Sequence, residues 1–113
     1  MSEQSDALLE NLRPYRATPG ILAAMLIQRD GFVVAADAAE TVDVEAVAAQ
    51  AAGVIDVGRR LAGELGQKAA RYLTVELDDL NVVLAPFGDE LMLVLAGTPT
   101  ALACEYRIAA PED

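Results

Sequence analysis

Histidine and tryptophan are absent from this chain of 113 residues, cysteine occurs once, and aromatic residues make up only 4% of it. Each shortage excludes something. Without histidine there is no imidazole to serve as general base, to activate a nucleophile or to ligate zinc. The lone thiol, Cys104, cannot close an intramolecular disulfide, which fits a reducing compartment. It sits on an expected helix face and reads as packing. Serine occurs only at Ser2 and Ser5, near an end expected to fray, so a serine nucleophile is not expected. Basic residues are also scarce, eight against eighteen acidic ones, for a net charge of −10. Such a chain repels polyanions, so nucleic acid and anionic membranes are poor partners and a basic protein surface is a better one. No apolar run reaches membrane-spanning length without a charge. The opening MSEQSDALLENL lacks the basic start and apolar core of a secretory signal. A cytoplasmic protein with no direct membrane insertion is therefore expected.

The phosphate-binding glycine motifs GxxxxGK[ST] and GxGxxG are missing too; Gly31 and Gly88 read as single turn glycines. Acidic pairs stand at Asp78-Asp79 and Asp89-Glu90, both in expected hairpin turns, where aspartate bonds to its own backbone. Arg59 and Arg60 invite comparison with a phosphate-directed arginine. Their spacing equally suits solvated helix charge, with Asp56 and Glu64 four residues either side of Arg60. Neither a catalytic residue nor a cofactor or metal site emerges, and the residues point to a binding module.

What is present is aliphatic: 54% of the chain is hydrophobic, enough for one core and one domain spanning 1–113. The stretch from Asp43 to Gly66 predicts a helix, with the aspartate as N-cap and the glycine as left-handed stop. On a helical wheel Val44, Val47, Ala48, Ala51, Val54, Ile55, Val57, Gly58, Leu61, Ala62 and Leu65 fill about half the circumference. All of them are expected to face a sheet. Glu45, Asp56, Arg59, Arg60 and Glu64 occupy the other half. Ala46, Ala49 and Gly53 leave a smooth flank, which reflects either alanine-rich composition or a surface another helix approaches.

Around this helix the pattern is ordered. Leu8, Leu9 and Leu12 predict a short first helix, capped by Ser5 or Asp6 and ended at Arg13-Pro14, with a loop over 14–20. The apolar run Ile21–Gln28 suits a strand covered on both faces. Asp30-Gly31 signals a two-residue hairpin returning through 32–36, then a polar connection over 37–42. Tyr72–Leu77 alternates, placing Leu73, Val75 and Leu77 on one side and Tyr72, Thr74 and Glu76 on the other, as at a sheet edge. Two apolar strands follow over 82–86 and 91–96, with Pro86 marking the end of the first. Thr98-Pro99 opens a closing helix that turns Leu102, Tyr106 and Ile108 inward. The order α-β-β-α-β-β-β-α predicts an α+β layered domain with a mostly antiparallel five-stranded sheet. Strands 1, 4 and 5 are central, strands 2 and 3 are edges, the long helix covers one face and the short helices the other.

The run Pro19-Gly20-Ile21 into an apolar strand, then Arg29-Asp30-Gly31-Phe32-Val33-Val34, resembles the Roadblock family (dynein light chain roadblock type), including its bacterial MglB-type members. The helix ending Leu61-Ala62-Gly63-Glu64-Leu65-Gly66 and the hairpin from Leu84 to Leu95 extend the resemblance over about 6–108. Where many members carry a leucine-glycine pair and a longer last helix, this chain has Ala101-Leu102-Ala103. The resemblance implies a homodimer, with long helices packed side by side and third strands paired across subunits. It also implies a non-catalytic regulator or adaptor of a Ras-like small GTPase, or a scaffold in a signalling or motility complex. A sensor of PAS or profilin-like shape would need polar groups that the aliphatic strands scarcely supply. The expected dimer interface comprises Ala46, Ala49, Gly53, Tyr72, Thr74 and Glu76, and the expected partner surface Glu45, Asp56, Arg59, Arg60 and Glu64.

Overall fold

The computed structural model describes residues 3–88 and 90–102, so Cys104, Tyr106, Ile108 and Asp89 lie outside the described residues. Helix α1 (Glu3–Ala17) leads into strands β1 (Ile21–Gln28) and β2 (Val33–Ala38). Helix α2 (Val44–Glu64) follows, then β3 (Leu73–Glu76), β4 (Asn81–Phe87) and β5 (Leu91–Gly97). The strands form one antiparallel sheet in the order β2-β1-β5-β4-β3. The doubly apolar strands are central, because each of their faces meets a hydrophobic layer.

Alternation along the strands splits the core in two. Ala24 and Leu26 of β1, Val83 of β4 and Leu93 and Leu95 of β5 pack with Leu12 of α1 and with Ala101 and Leu102. Ala23, Met25, Ile27, Leu84, Val94 and Ala96 turn the other way, onto Ala48, Ala51 and Ile55 of α2. The helical turn over 99–102 starts as expected, Thr98 Oγ1 accepting from the amide of Ala101 at 3.2 Å.

Four local expectations are corrected. Helix α1 begins at Glu3, ahead of Ser5 and Asp6, and runs through Pro14 to Ala17. An interior proline costs about 3 kcal/mol, but the turn beyond it is anchored from outside the helix. Tyr15 packs on the core, and Arg16 bonds Asp37 Oδ1 at 3.1 Å and the carbonyl of Ile21 at 2.9 Å. Second, the β1–β2 connection is longer than two residues. Gly31 N bonds Gln28 O at 2.9 Å and Gln28 N bonds Phe32 O at 2.8 Å, with Gly31 at φ +96°. Among the described residues no non-glycine residue has positive φ, so Asp30 does not adopt the left-handed geometry that a two-residue Asp-Gly turn requires. Its carboxylate instead accepts from Phe32 N at 2.9 Å. Third, β2 continues to Ala38, where Asp37 pairs with Ala24 of β1 and Ala38 with Ala23, and β4 passes Pro86 by one residue. Fourth, Val57, Leu61 and Leu65 do not pack on the sheet and are exposed, and Val54, at 36% exposed, only borders a groove beside it.

Candidate interaction surface

Helix α2 owes its limits to its ends. Asp43 Oδ1 accepts from Ala46 N at 3.1 Å, and past Glu64 the amide of Gln67 reaches Ala62 O at 2.8 Å around Gly66 at φ +74°. Between these caps the helix presents three surfaces beside the buried stripe of Ala48, Ala51, Ile55, Gly58 and Ala62.

The first is apolar. Val57 and Leu61 are each 61% exposed and Leu65 69%, on the side of the helix that Val54 shares. Below them Ala46, Val47, Gln50 and Val54 border a groove of about 340 Å³, closed opposite by Val75, Leu77 and Val82. Leu77 just past β3 is 55% exposed. Strand β3 pairs only with β4 among the described residues, so its outer backbone edge is open, with Thr74 and Glu76 exposed and Leu73 and Val75 half-buried. Groove, helix flank and open edge are contiguous.

The second is the outer face, turned away from the sheet. It carries Glu45, Ala49, Gly53, Asp56, Arg60 and Glu64. Apart from the helix's own backbone, no atom lies within 4 Å of where a Cβ on Gly53 would stand. Arg60 Nε donates to Asp56 Oδ2 at 3.0 Å, the expected four-residue pairing. That hydrogen bond and Arg60's charge, with a smaller contribution from Arg59, hold the Asp56 carboxyl below its ordinary pKa. The third is basic: Arg59 leaves its neighbour Arg60 and borders a small cavity with Arg29 and Arg71.

Of the residues expected in a dimer contact, Ala46 borders the groove, Ala49 and Gly53 stand on the outer face, and Thr74 and Glu76 line the open edge. Tyr72 is half-buried, with the Arg71 guanidinium 5.9 Å from its ring centre. Of those expected on a partner surface, Glu45, Asp56, Arg60 and Glu64 lie together and Arg59 apart. The apolar flank of Val54, Val57, Leu61 and Leu65 was missed because the wheel assigned the whole apolar arc to the sheet. The signal was the width of that arc: about half a circumference, where packing on one layer needs roughly 100°. No helix among the described residues is long and apolar enough to cross a membrane.

The family pattern of the Roadblock/LC7 domain matches residues 7–96, from α1 through β5. The chain belongs to the Roadblock/LC7 domain family. A protein of Methanocaldococcus jannaschii, MJ0310, is 28% identical over 78 residues, 69% of this chain and 68% of that one. The gliding protein MglB of Thermus thermophilus has a similar structure, with TM-score 0.83 and 22% identity over 96% of this chain and 83% of that one. A Roadblock/LC7 domain from Streptomyces avermitilis aligns with TM-score 0.75 and 24% identity over 92% and 88% of the two chains. At these identities the likeness to the two structures is one of fold. The Roadblock/LC7 match ends within β5, before Ala101-Leu102-Ala103.

Proposed function

We propose that this Roadblock/LC7 domain is a homodimeric, non-catalytic regulator or adaptor of a Ras-like small GTPase. The observation that carries the reading is the contiguity of the apolar α2 flank with the open β3 edge. Fully burying one valine or leucine side chain is worth about 1.5–3 kcal/mol. A second copy offers the same flank and the same edge, so a two-fold contact satisfies both at once. Ala46, Ala49, Gly53, Tyr72, Thr74 and Glu76 belong to or border that contact, and Val54, Val57 and Leu61 form its apolar centre. Gly53→Leu, which adds bulk beside it, weakens self-association while the subunit stays folded.

Dimerisation places two outer faces side by side as a shallow two-helix platform carrying Glu45, Asp56, Arg60 and Glu64, with Arg59 at its margin. The net charge of −10 favours a basic patch on the GTPase and fast, salt-sensitive association. Arg59 and Arg60 sit on a capped helix, so stimulation of hydrolysis proceeds by repositioning the GTPase's own groups. The test is single-turnover GTP hydrolysis by a Ras-like GTPase from the same source, with saturating regulator. Arg59→Ala and Arg60→Ala then lower turnover only as far as they weaken binding. A large loss at saturation with unchanged affinity would show an arginine entering the active site. Binding without any change in turnover would leave the scaffold role in place of the regulator.

A further inference from the structure

Three of the chain's eight basic residues stand around one cavity of about 140 Å³ on the sheet-end side of α2. Arg29 comes from the β1–β2 turn, Arg59 from α2 and Arg71 from the segment before β3. None of the three joins a salt bridge with a described residue; the pairs present are Arg13–Glu10, Arg16–Asp37 and Arg60–Asp56. The described lining contains no carboxylate. Among the described acidic residues close by in the chain, Asp30 accepts from the amide of Phe32 and Asp56 is paired with Arg60. Asp30 and Glu90 border a separate, more open pocket that Arg29 also lines.

All three arginines are exposed, and the Arg71 guanidinium also lies 5.9 Å from the Tyr72 ring centre; an anion seated in the cavity they border would meet more than one positive charge. Their planar forks of N–H donors match the oxygens of phosphoryl or carboxylate groups. One carboxylate neutralises one of three charges, whereas a dianion neutralises two. The floor of Ile55, Leu73 and Met92 is aliphatic and the cavity is well below the roughly 300–1,000 Å³ of a pocket for a whole drug-sized ligand. It therefore admits a group and not a nucleoside. The chain's overall negative charge opposes this weakly, because charges beyond about 8–10 Å are largely screened at physiological salt. We propose that Arg29, Arg59 and Arg71 form a receptor for a phosphoryl dianion, arriving as free phosphate or on a phosphorylated side chain.

The experiment follows the arginine Nε–H resonances by NMR. The full-length chain is titrated with sodium phosphate, with sodium chloride at equal ionic strength, and with a phosphoserine peptide. Phosphate is expected to shift Arg29, Arg59 and Arg71 saturably, at ~1 mM or tighter, while Arg13 and Arg16 stay in place. Arg29→Gln and Arg71→Gln each weaken binding about tenfold, the equivalent of one charged hydrogen bond, with an unchanged circular dichroism spectrum. Arg13→Gln leaves the titration as it is. Tighter binding of the peptide identifies a protein-borne phosphoryl group, and equal binding identifies the free anion. Shifts that chloride reproduces, or no saturation with either phosphoryl ligand, overturn the proposal. Neither outcome depends on a GTPase partner.

Discussion

Glycines of one type play opposite parts here, and only their surroundings distinguish them. A Cβ on Gly53 or Gly63 would meet nothing within 4 Å beyond the helix's own backbone, whereas one on Gly97 would stand 2.7 Å from Gly20 O and 3.0 Å from Ile21 Cα. Gly53→Ala and Gly63→Ala should each stabilise the fold by about 0.5–1 kcal/mol, since an interior helical glycine is that much worse than alanine. Gly97→Ala should destabilise it clearly, because backbone and not a flexible side chain occupies the space. Urea unfolding of the three variants checks this, and a neutral Gly97→Ala would contradict the close approach. At Asp56 the depressed pKa means that any linked stability is present above the unfolded pKa and is lost as pH falls through the lower folded value. Both members of the pair are exposed, so screening leaves little of it. Carboxyl NMR titration should place Asp56 below the ordinary aspartate range and Arg60→Ala should raise it, with no measurable change in the urea midpoint at neutral pH.

Among the elements, α2 was the most legible because its signals are local. The cap at Asp43, the stop at Gly66 and a 3.6-residue period lie within the helix itself. Asp43→Ala should cost about 1 kcal/mol and Asp43→Ser should recover most of it, since the side-chain oxygen satisfying Ala46 N is what matters. Equal losses from both substitutions, measured by thermal unfolding, would rule out that role. Helix α1 runs four residues beyond its expected end at Arg13, because the valid local stop signal at Pro14 is overridden. The contacts that override it, from Arg16 to Asp37 and Ile21 and from Tyr15 to the core, come from other segments. The β1–β2 turn erred differently: Asp-Gly was recognised as a turn, but bonding between Gln28 and Phe32 set its length.

For the molecule as a whole, the decisive feature is the apolar flank left uncovered beside an open sheet edge. Leu61→Asp and Val57→Asp should convert the proposed dimer into a folded monomer, read as halved mass by light scattering at micromolar concentration with an unchanged circular dichroism spectrum. Wild-type protein that is already monomeric at micromolar concentration would remove the basis of the proposed dimer. The positions of the candidate surface residues were partly legible. The charged outer face could be placed from the wheel, and the edge strand from its alternation, since Thr74 and Glu76 are exposed while Leu73 and Val75 are half-buried.

Composition and pattern by themselves determined the element order, which strands lie inside the sheet, and which faces of β1, β4 and β5 are buried. These follow from runs of a few residues, whose period or two-sided apolarity holds wherever the segment is placed. Tertiary structure alone decided how much of α2's apolar arc the sheet covers, whether Pro14 ends a helix, and that Arg29, Arg59 and Arg71 share a cavity. Each of those depends on the distance between segments far apart in the chain. Such distances are set by how a helix about 32 Å long settles across five strands, and no local period records them.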